Sequence, residues 1–253
     1  MNVHKMADLT PTEFTRNIFI KRAVSSLKGR VSGACDIGCG IGTLLNVLED
    51  TGIPLMGVDT SDESLAIAAE KVRAPHVKIK KGGINDLGEK FDLIFLTDVL
   101  EHVEDDGSFL REIRDTALNE GGWFLMTVPA HSRLYSRFDK NVGHFRRYDK
   151  KHLRKLLQDN GFEPVVFWSY GIILFHFLAN MIERPEKSEK EESFEKRTST
   201  SSIRKFSGLT KTLVSRVNAL HYLCYFMDRV LLKHLDMGLQ YFVLCRKKGA
   251  ESK

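Results

Sequence analysis

Short apolar runs and longer stretches with apolar residues at helical spacing alternate along most of this chain. Ala34 to Ile37 precedes a helical pattern over 41–51, and Leu55 to Val58 precedes one over 62–72. Val77 to Lys80 follows as a lone run, and Phe91 to Thr97 leads into 108–118. Trp123 to Val128 leads into 149–159, and Glu163 to Trp168 closes the series. Buried runs separated by helices predict an α/β fold, a doubly wound and mostly parallel sheet with helices on both faces. Gly121-Gly122 and Asn160-Gly161 fall where two helices should stop. Upstream, Thr10-Pro11-Thr12-Glu13 has the form of a capping box with proline at the first helical position, and predicts an amphipathic helix to about Lys28.

The first strand-to-helix junction carries chemistry. Cys35-Asp36-Ile37-Gly38-Cys39-Gly40-Ile41-Gly42-Thr43 sets three alternating glycines where the backbone must turn and a ligand can approach. A dinucleotide fingerprint needs G-x-G-x-x-G, and the third glycine is missing in both registers: Thr43 counted from Gly38, Leu45 counted from Gly40. The second strand ends in Asp59, followed by Thr60-Ser61-Asp62. An acid at that tip suits a ribose, whose two hydroxyls it can accept.

The D-x-G-x-G-x-G arrangement resembles motif I of the class I S-adenosylmethionine-dependent methyltransferases, over about residues 30–170. The resemblance implies S-adenosylmethionine as cofactor. It sets Asp36 near the methionine ammonium, the backbone of Gly38, Gly40 and Gly42 near the methionyl end, and Asp59 with Thr60 at the ribose. After the third strand the usual acid is replaced by Gly83, so the adenine falls to Ile84 and Asn85. Phe91-Asp92-Leu93-Ile94 matches the family's fourth strand, whose end, at Thr97, lies beside the transferable methyl. The family also implies a seven-stranded, Rossmann-like sheet whose last strand, here Leu239 to Cys245, is antiparallel beside the sixth. The fourth strand does not run into D/N-P-P-Y/F, which argues against nucleic-acid bases and protein amides as acceptors.

Asp98, Glu101 and His102 stand at i, i+3, i+4 and would share one face of a helical turn. Their D-x-x-E-H resembles the E-x-x-E-H of the ubiquinone-biosynthesis O-methyltransferases, which implies a divalent metal; two carboxylates and an imidazole suit such an ion. The alternative leaves His102 as a general base. Val128-Pro129-Ala130-His131 brings a second histidine to the C-terminal edge of the sheet. His144-Phe145-Arg146-Arg147-Tyr148 precedes a helix with Asp149 at its N-cap, and there His144 could take a proton while the arginines clamp a phosphate or carboxylate.

With 253 residues, 42% of them hydrophobic, the chain can bury one α/β core with room for an insertion. A net charge of +5 is compatible with an anionic substrate or surface and far from a nucleic-acid footprint. Cys35, Cys39, Cys224 and Cys245 form no zinc pattern and read as reduced thiols in a cytoplasmic chain. The expected organisation is a methyltransferase core over 1–170, an insertion over 171–235 and a last strand with tail over 236–253. Val165 to Ile182 contains no charged residue, 183–205 is charged and rich in Ser and Thr, and Leu209 to Leu235 is apolar at helical spacing with Lys211, Arg216, Arg229 and Lys233 interspersed. The apolar parts, Phe175 and Phe177 among them, read as buried lid helices or as a peripheral membrane contact at the inner face of the membrane. The expected activity is O-methylation of an apolar or lipid-linked small molecule. The rivals are a soluble small metabolite as acceptor, or a cofactor-binding scaffold without catalysis.

Overall fold

The computed structural model describes residues 9–171, 225–227, 229–230 and 235–249. Helix α1 (Pro11–Ser26) starts as its sequence dictates: the Thr10 hydroxyl accepts from the Glu13 amide at 3.2 Å, and the Glu13 carboxylate accepts from the Thr10 amide at 2.9 Å. Seven strands follow as β1 (Ala34–Ile37), β2 (Leu55–Asp59), β3 (Val77–Lys81), β4 (Phe91–Thr97), β5 (Leu118–Pro129), β6 (Phe162–Tyr170) and β7 (Gln240–Lys247). They form one sheet in the order β3-β2-β1-β4-β5-β7-β6. Strand β7 runs antiparallel to both β5 and β6, and the other pairings are parallel. The strand order reverses between β1 and β4, so a crevice opens at the C-terminal ends of those two strands, where α/β sheets bind ligands.

Helices α2 (Thr43–Leu48), α3 (Asp62–Lys71), α4 (Asp106–Glu112), α5 (Arg137–Asn141) and α6 (Lys150–Asp159) complete the described core. The alternation of strand side chains feeds two layers. Leu93 and Phe95 of β4 join Phe19, Ile20 and Val24 of α1 and Leu44, Leu45 and Leu48 of α2 on one face. Ile94 and Leu96 join Leu110, Leu153 and Leu157 on the other. Burying a side chain of this size stabilises by roughly 1.5–3 kcal/mol, which is why strands apolar on both faces end up in the middle of the sheet.

Three local expectations change. The predicted helix 108–118 begins at Asp106 and ends in a π-helical turn over Ile113–Ala117, and β5 starts at once at Leu118. Gly121 therefore does not stop a helix; its φ of 62° takes up a slip in register where Phe91 pairs with Leu118 but Leu93 with Trp123. The short helix α5 was not anticipated. Asn160-Gly161 does end α6, with Gly161 at φ 87°. The expected insertion over 171–235, with Phe175, Phe177, Lys211, Arg216 and Lys233, falls almost wholly outside the described residues. Its described Tyr225 packs its ring 5.7 Å from that of Phe19, under the Arg22 guanidinium. Among the described residues no helix is long and apolar enough to cross a membrane.

Candidate active site

The glycine turn joins β1 to α2 and has the backbone its sequence requires. Gly38 and Gly42 lie at φ 74° and 71°, and a Cβ on Gly38 would stand 2.6 Å from Val99 Cγ2. A side chain there would be strained in the backbone and would also collide. At the end of β2 the Asp59 carboxylate accepts from the Gly40 amide at 2.8 Å and the Ser61 amide at 2.9 Å, tying the glycine turn to the start of α3. Asp36, at 1% exposure, keeps Oδ1 without a partner among the described residues. Burial pushes its carboxyl up to about 7, against the pull of the Arg16 guanidinium and with a further push from the Asp59 charge. An orphaned carboxylate oxygen beside a tight glycine cradle fits the cationic end of an amino-acid-like ligand, as an S-adenosylmethionine site requires.

Thr60 directly follows β2 and is exposed, and Thr97 ends β4 and is half-buried. Ile84 is buried and Asn85 exposed on the 3₁₀ turn after β3. Asp86 closes that turn by accepting from the Gly83 amide at 2.8 Å, which ties its carboxylate to the turn itself.

Beyond β4 the residues do not form the helical face expected of Asp98, Glu101 and His102. Asp98 takes φ 55°, and only Leu100–His102 make a 3₁₀ turn, so the i, i+3, i+4 stacking is lost. Asp98 pairs instead with Arg16 of α1 and accepts from the Thr127 hydroxyl at 2.8 Å. The group that converges is Glu101, His102 and His144, whose ligand-capable atoms lie within 4.8 Å of one another. Burial, and after it the Asp98 charge, raises the Glu101 carboxyl well above the usual range. With Asp98 spent on Arg16 and Glu101 pushed toward its neutral form, the cluster presents little anionic charge of its own and suits proton handling better than cation binding.

The histidines divide by surroundings. Burial, and then the neighbouring His144, pushes His102 down to about 4, so it is neutral and a weak base; its Nδ1 lies 3.2 Å from the Gly143 carbonyl oxygen. The rings of His102 and His144 meet edge to face at 4.7 Å. His144 Nδ1 lies 2.9 Å from Asp139 Oδ1, and its Nε2 lies 3.9 Å from Glu101 Oε1. His131 is buried at the C-terminal edge of the sheet, with φ 63° and Nε2 without a partner among the described residues.

Both arginines of the His144–Tyr148 segment are engaged within the fold, contrary to the substrate clamp expected of them. Arg147 Nε donates to Asp139 at 2.8 Å. Arg146 donates to Asp106 at 2.7 Å and to the Glu104 carbonyl at 2.6 Å, while the Tyr148 hydroxyl meets the same Asp106 at 3.0 Å. Asp149 caps α6 by position only, because its carboxylate accepts from the Ser132 amide and hydroxyl. Sequence reasoning missed Arg16 and Thr127, whose partner Asp98 is distant in the chain, and Asp139; the one local signal was the Ser136-Arg137-Phe138-Asp139 spacing of a capping box, which the structure closes at 2.9 Å.

Residues 17–166, more than half of the chain, match the model of a methyltransferase domain family, and the chain belongs to that family. Its sheet is the mostly parallel, Rossmann-like methyltransferase sheet with an antiparallel last strand. Among curated relatives, a ubiquinone biosynthesis O-methyltransferase of Azorhizobium caulinodans is 33% identical over 137 residues, which are 49% of this chain and 52% of that protein. The chain spans about half the length of the curated relatives it matches. Among solved structures, an S-adenosylmethionine-dependent methyltransferase from Archaeoglobus fulgidus superposes with a TM-score of 0.55 at 16% identity, covering 92% of this chain and 93% of the other. The magnesium protoporphyrin IX methyltransferase of Synechocystis, solved with bound S-adenosylhomocysteine, superposes with a TM-score of 0.53 at 20% identity over 63% and 77%.

Proposed function

We propose that this chain binds S-adenosylmethionine and transfers its methyl group to a hydroxyl of an apolar or lipid-linked small molecule. The observation that carries the reading is the orphaned, buried Asp36 carboxylate beside the glycine turn, with the buried His131 after β5 and the half-buried His102 and His144 beyond β4 and α5. Bound there, the cofactor supplies a methyl group activated on a sulfonium. Asp59 accepts from the ribose, Thr60 lies beside it, and Ile84 and Asn85 border the adenine. Asp36 holds the ammonium, the Gly38 to Gly42 backbone cradles the methionyl end, and Thr97 stands beside the methyl.

In-line transfer asks the protein for alignment, a dry site and a proton acceptor. Nε2 of His144 takes the hydroxyl proton, with His131 as the competing acceptor. His102, held neutral and weakly basic, keeps the His144 ring in place. Helix α1 contributes dryness, because Arg16 ties it down onto Asp98 across the end of β4.

Two observations support an apolar acceptor and O-transfer. Leu134, Tyr135, Phe138 and Phe145 are exposed on the segments around His144, and the Tyr135 hydroxyl donates to the His144 carbonyl at 2.8 Å. The curated relatives are named for O-methylation in ubiquinone biosynthesis. The reading carries a location, the cytoplasmic face of the membrane with 171–235 in contact, and sedimentation with anionic vesicles tests it. Incubation of the full chain with radiolabelled methyl donor and fractionated cell extract tests the substrate. Label in the lipid fraction supports the proposal, label in the aqueous fraction moves the acceptor to a soluble metabolite, and cofactor binding without any label leaves a scaffold.

A further inference from the structure

The Asp139 carboxylate is fully buried and surrounded by donors. Its Oδ2 accepts from the Ser136 amide at 2.9 Å and the Ser136 hydroxyl at 3.1 Å. Its Oδ1 accepts from Arg147 Nε at 2.8 Å and lies 2.9 Å from His144 Nδ1. A carboxylate that meets a guanidinium and two hydrogen bonds from Ser136 is ionised and can only accept. The shared proton must then sit on His144 Nδ1. The imidazole has one proton to give in its neutral form, so Nε2, at the opposite edge of the ring, is left with its lone pair. That nitrogen lies 3.9 Å from Glu101 Oε1, too far for a direct hydrogen bond and close enough for an oxygen between them to reach both.

Resting on His144 as the proton acceptor proposed above, we infer that Asp139 is a positioning residue: it locks His144 in the Nδ1–H tautomer and turns a bare Nε2 toward Glu101, where the acceptor hydroxyl enters. Arg147 serves the pair by keeping Asp139 charged. The Tyr135 hydroxyl, donating to the His144 carbonyl, and the Asp139 carbonyl, which takes the His144 amide at 2.8 Å, hold the His144 backbone in place. The three-residue link from Asp139 through His144 to Arg147 explains why Arg147 faces inward. Arg147 sets the charge of Asp139, and Arg146 anchors the segment to the start of α4.

The test reads the tautomer itself. In the full chain with ¹⁵N-labelled histidine, at a pH of about 8.5 and thus above the usual histidine range, long-range proton–nitrogen correlation separates protonated from bare ring nitrogens. The His144→Gln variant assigns the signals. The Nδ1–H form of His144 should exceed the Nε2–H form by about tenfold or more, the ratio that a charge-assisted hydrogen bond sustains. In Asp139→Ala the excess should collapse to a mixture. A wild-type His144 that is protonated on Nε2 overturns the proposal, even if Asp139→Ala does not fold. So does a folded Asp139→Ala chain that keeps the wild-type ratio. Calorimetry with S-adenosylmethionine on the same wild-type sample separates the two readings. Failure to bind removes the methyl-transfer reading whatever the tautomer, whereas tight binding with the wrong tautomer removes only the role of Asp139.

Discussion

Asp36→Asn isolates the electrostatic cost of burying a carboxylate beside the glycine turn. The carboxyl is raised from its ordinary 3.8 to about 7, chiefly by burial. At 1.36 kcal/mol per tenfold change, that interval is worth about 4 kcal/mol. The folded chain holds the Asp36 proton more tightly than the unfolded chain does. Its contribution is therefore fully present below about pH 4, declines as pH rises, and is lost above about pH 7. An asparagine of nearly the same shape carries no charge and so escapes the larger cost of burying one, keeping only that of a polar amide. Relative to wild type, the ligand-free Asn variant should thus gain stability across this window, up to roughly 10 °C in Tm for a chain of this size. The cofactor reverses the order, because its ammonium would pair with the ionised carboxylate. Wild-type affinity should fall about tenfold per pH unit below about 7, and the variant should bind weakly with little dependence on pH. Thermal melting from pH 5 to 8.5 and calorimetry at pH 6 and 8 read both effects. A melting difference between the two proteins that stays constant over the whole range would refute the reasoning.

Asp59→Ala removes the acceptor shared by the Gly40 and Ser61 amides and, with it, the proposed ribose contact; cofactor affinity should drop by about 1–3 kcal/mol or more, and unchanged binding by calorimetry would dismiss the assignment. Arg16→Met leaves Asp98 with the Thr127 hydroxyl as its described partner and releases α1 from the end of β4; a loss of about 2 kcal/mol in urea unfolding is expected, less than for a wholly buried pair because Asp98 is partly exposed. Excess chelator should leave methyl transfer intact, since Asp98 is committed to Arg16 and Glu101 is pushed toward its neutral form. Loss of activity that a divalent metal restores would return the cation to Glu101, His102 and His144.

The strands, their order of hydrophobicity and the glycine turn were legible because they follow from local periodicity and from backbone conformations that few residues tolerate. The capping box of α1 and the glycine after α6 were legible for the same reason. The start of β5 was not. Ala117 and Leu118 fit a helix or a strand equally well, and the pairing of Leu118 with Phe91 decided between them. At the candidate site, Asp36 and Asp59 fall at the C-terminal ends of β1 and β2 as their sequence positions indicate, whereas the expected trio of Asp98, Glu101 and His102 dissolved. Its spacing assumed a helix, and the left-handed backbone of Asp98 turned that carboxylate to Arg16, 82 residues away in the chain.

Sequence by itself determined what depends on neighbours along the backbone: which runs are buried, where glycine is required, and which strand tips carry acids. Tertiary structure alone decided which charges are free to act. The sequence suggests Arg147 as a clamp for an anionic ligand, yet it lies against a carboxylate with no exposure at all. His102 and His144 differ little as letters, but burial weakens the one while Asp139 orients the other. The physical reason is range. Hydrogen bonding and desolvation act over a few ångströms between groups that only the folded sheet brings together, and they set protonation far more strongly than sequence context does.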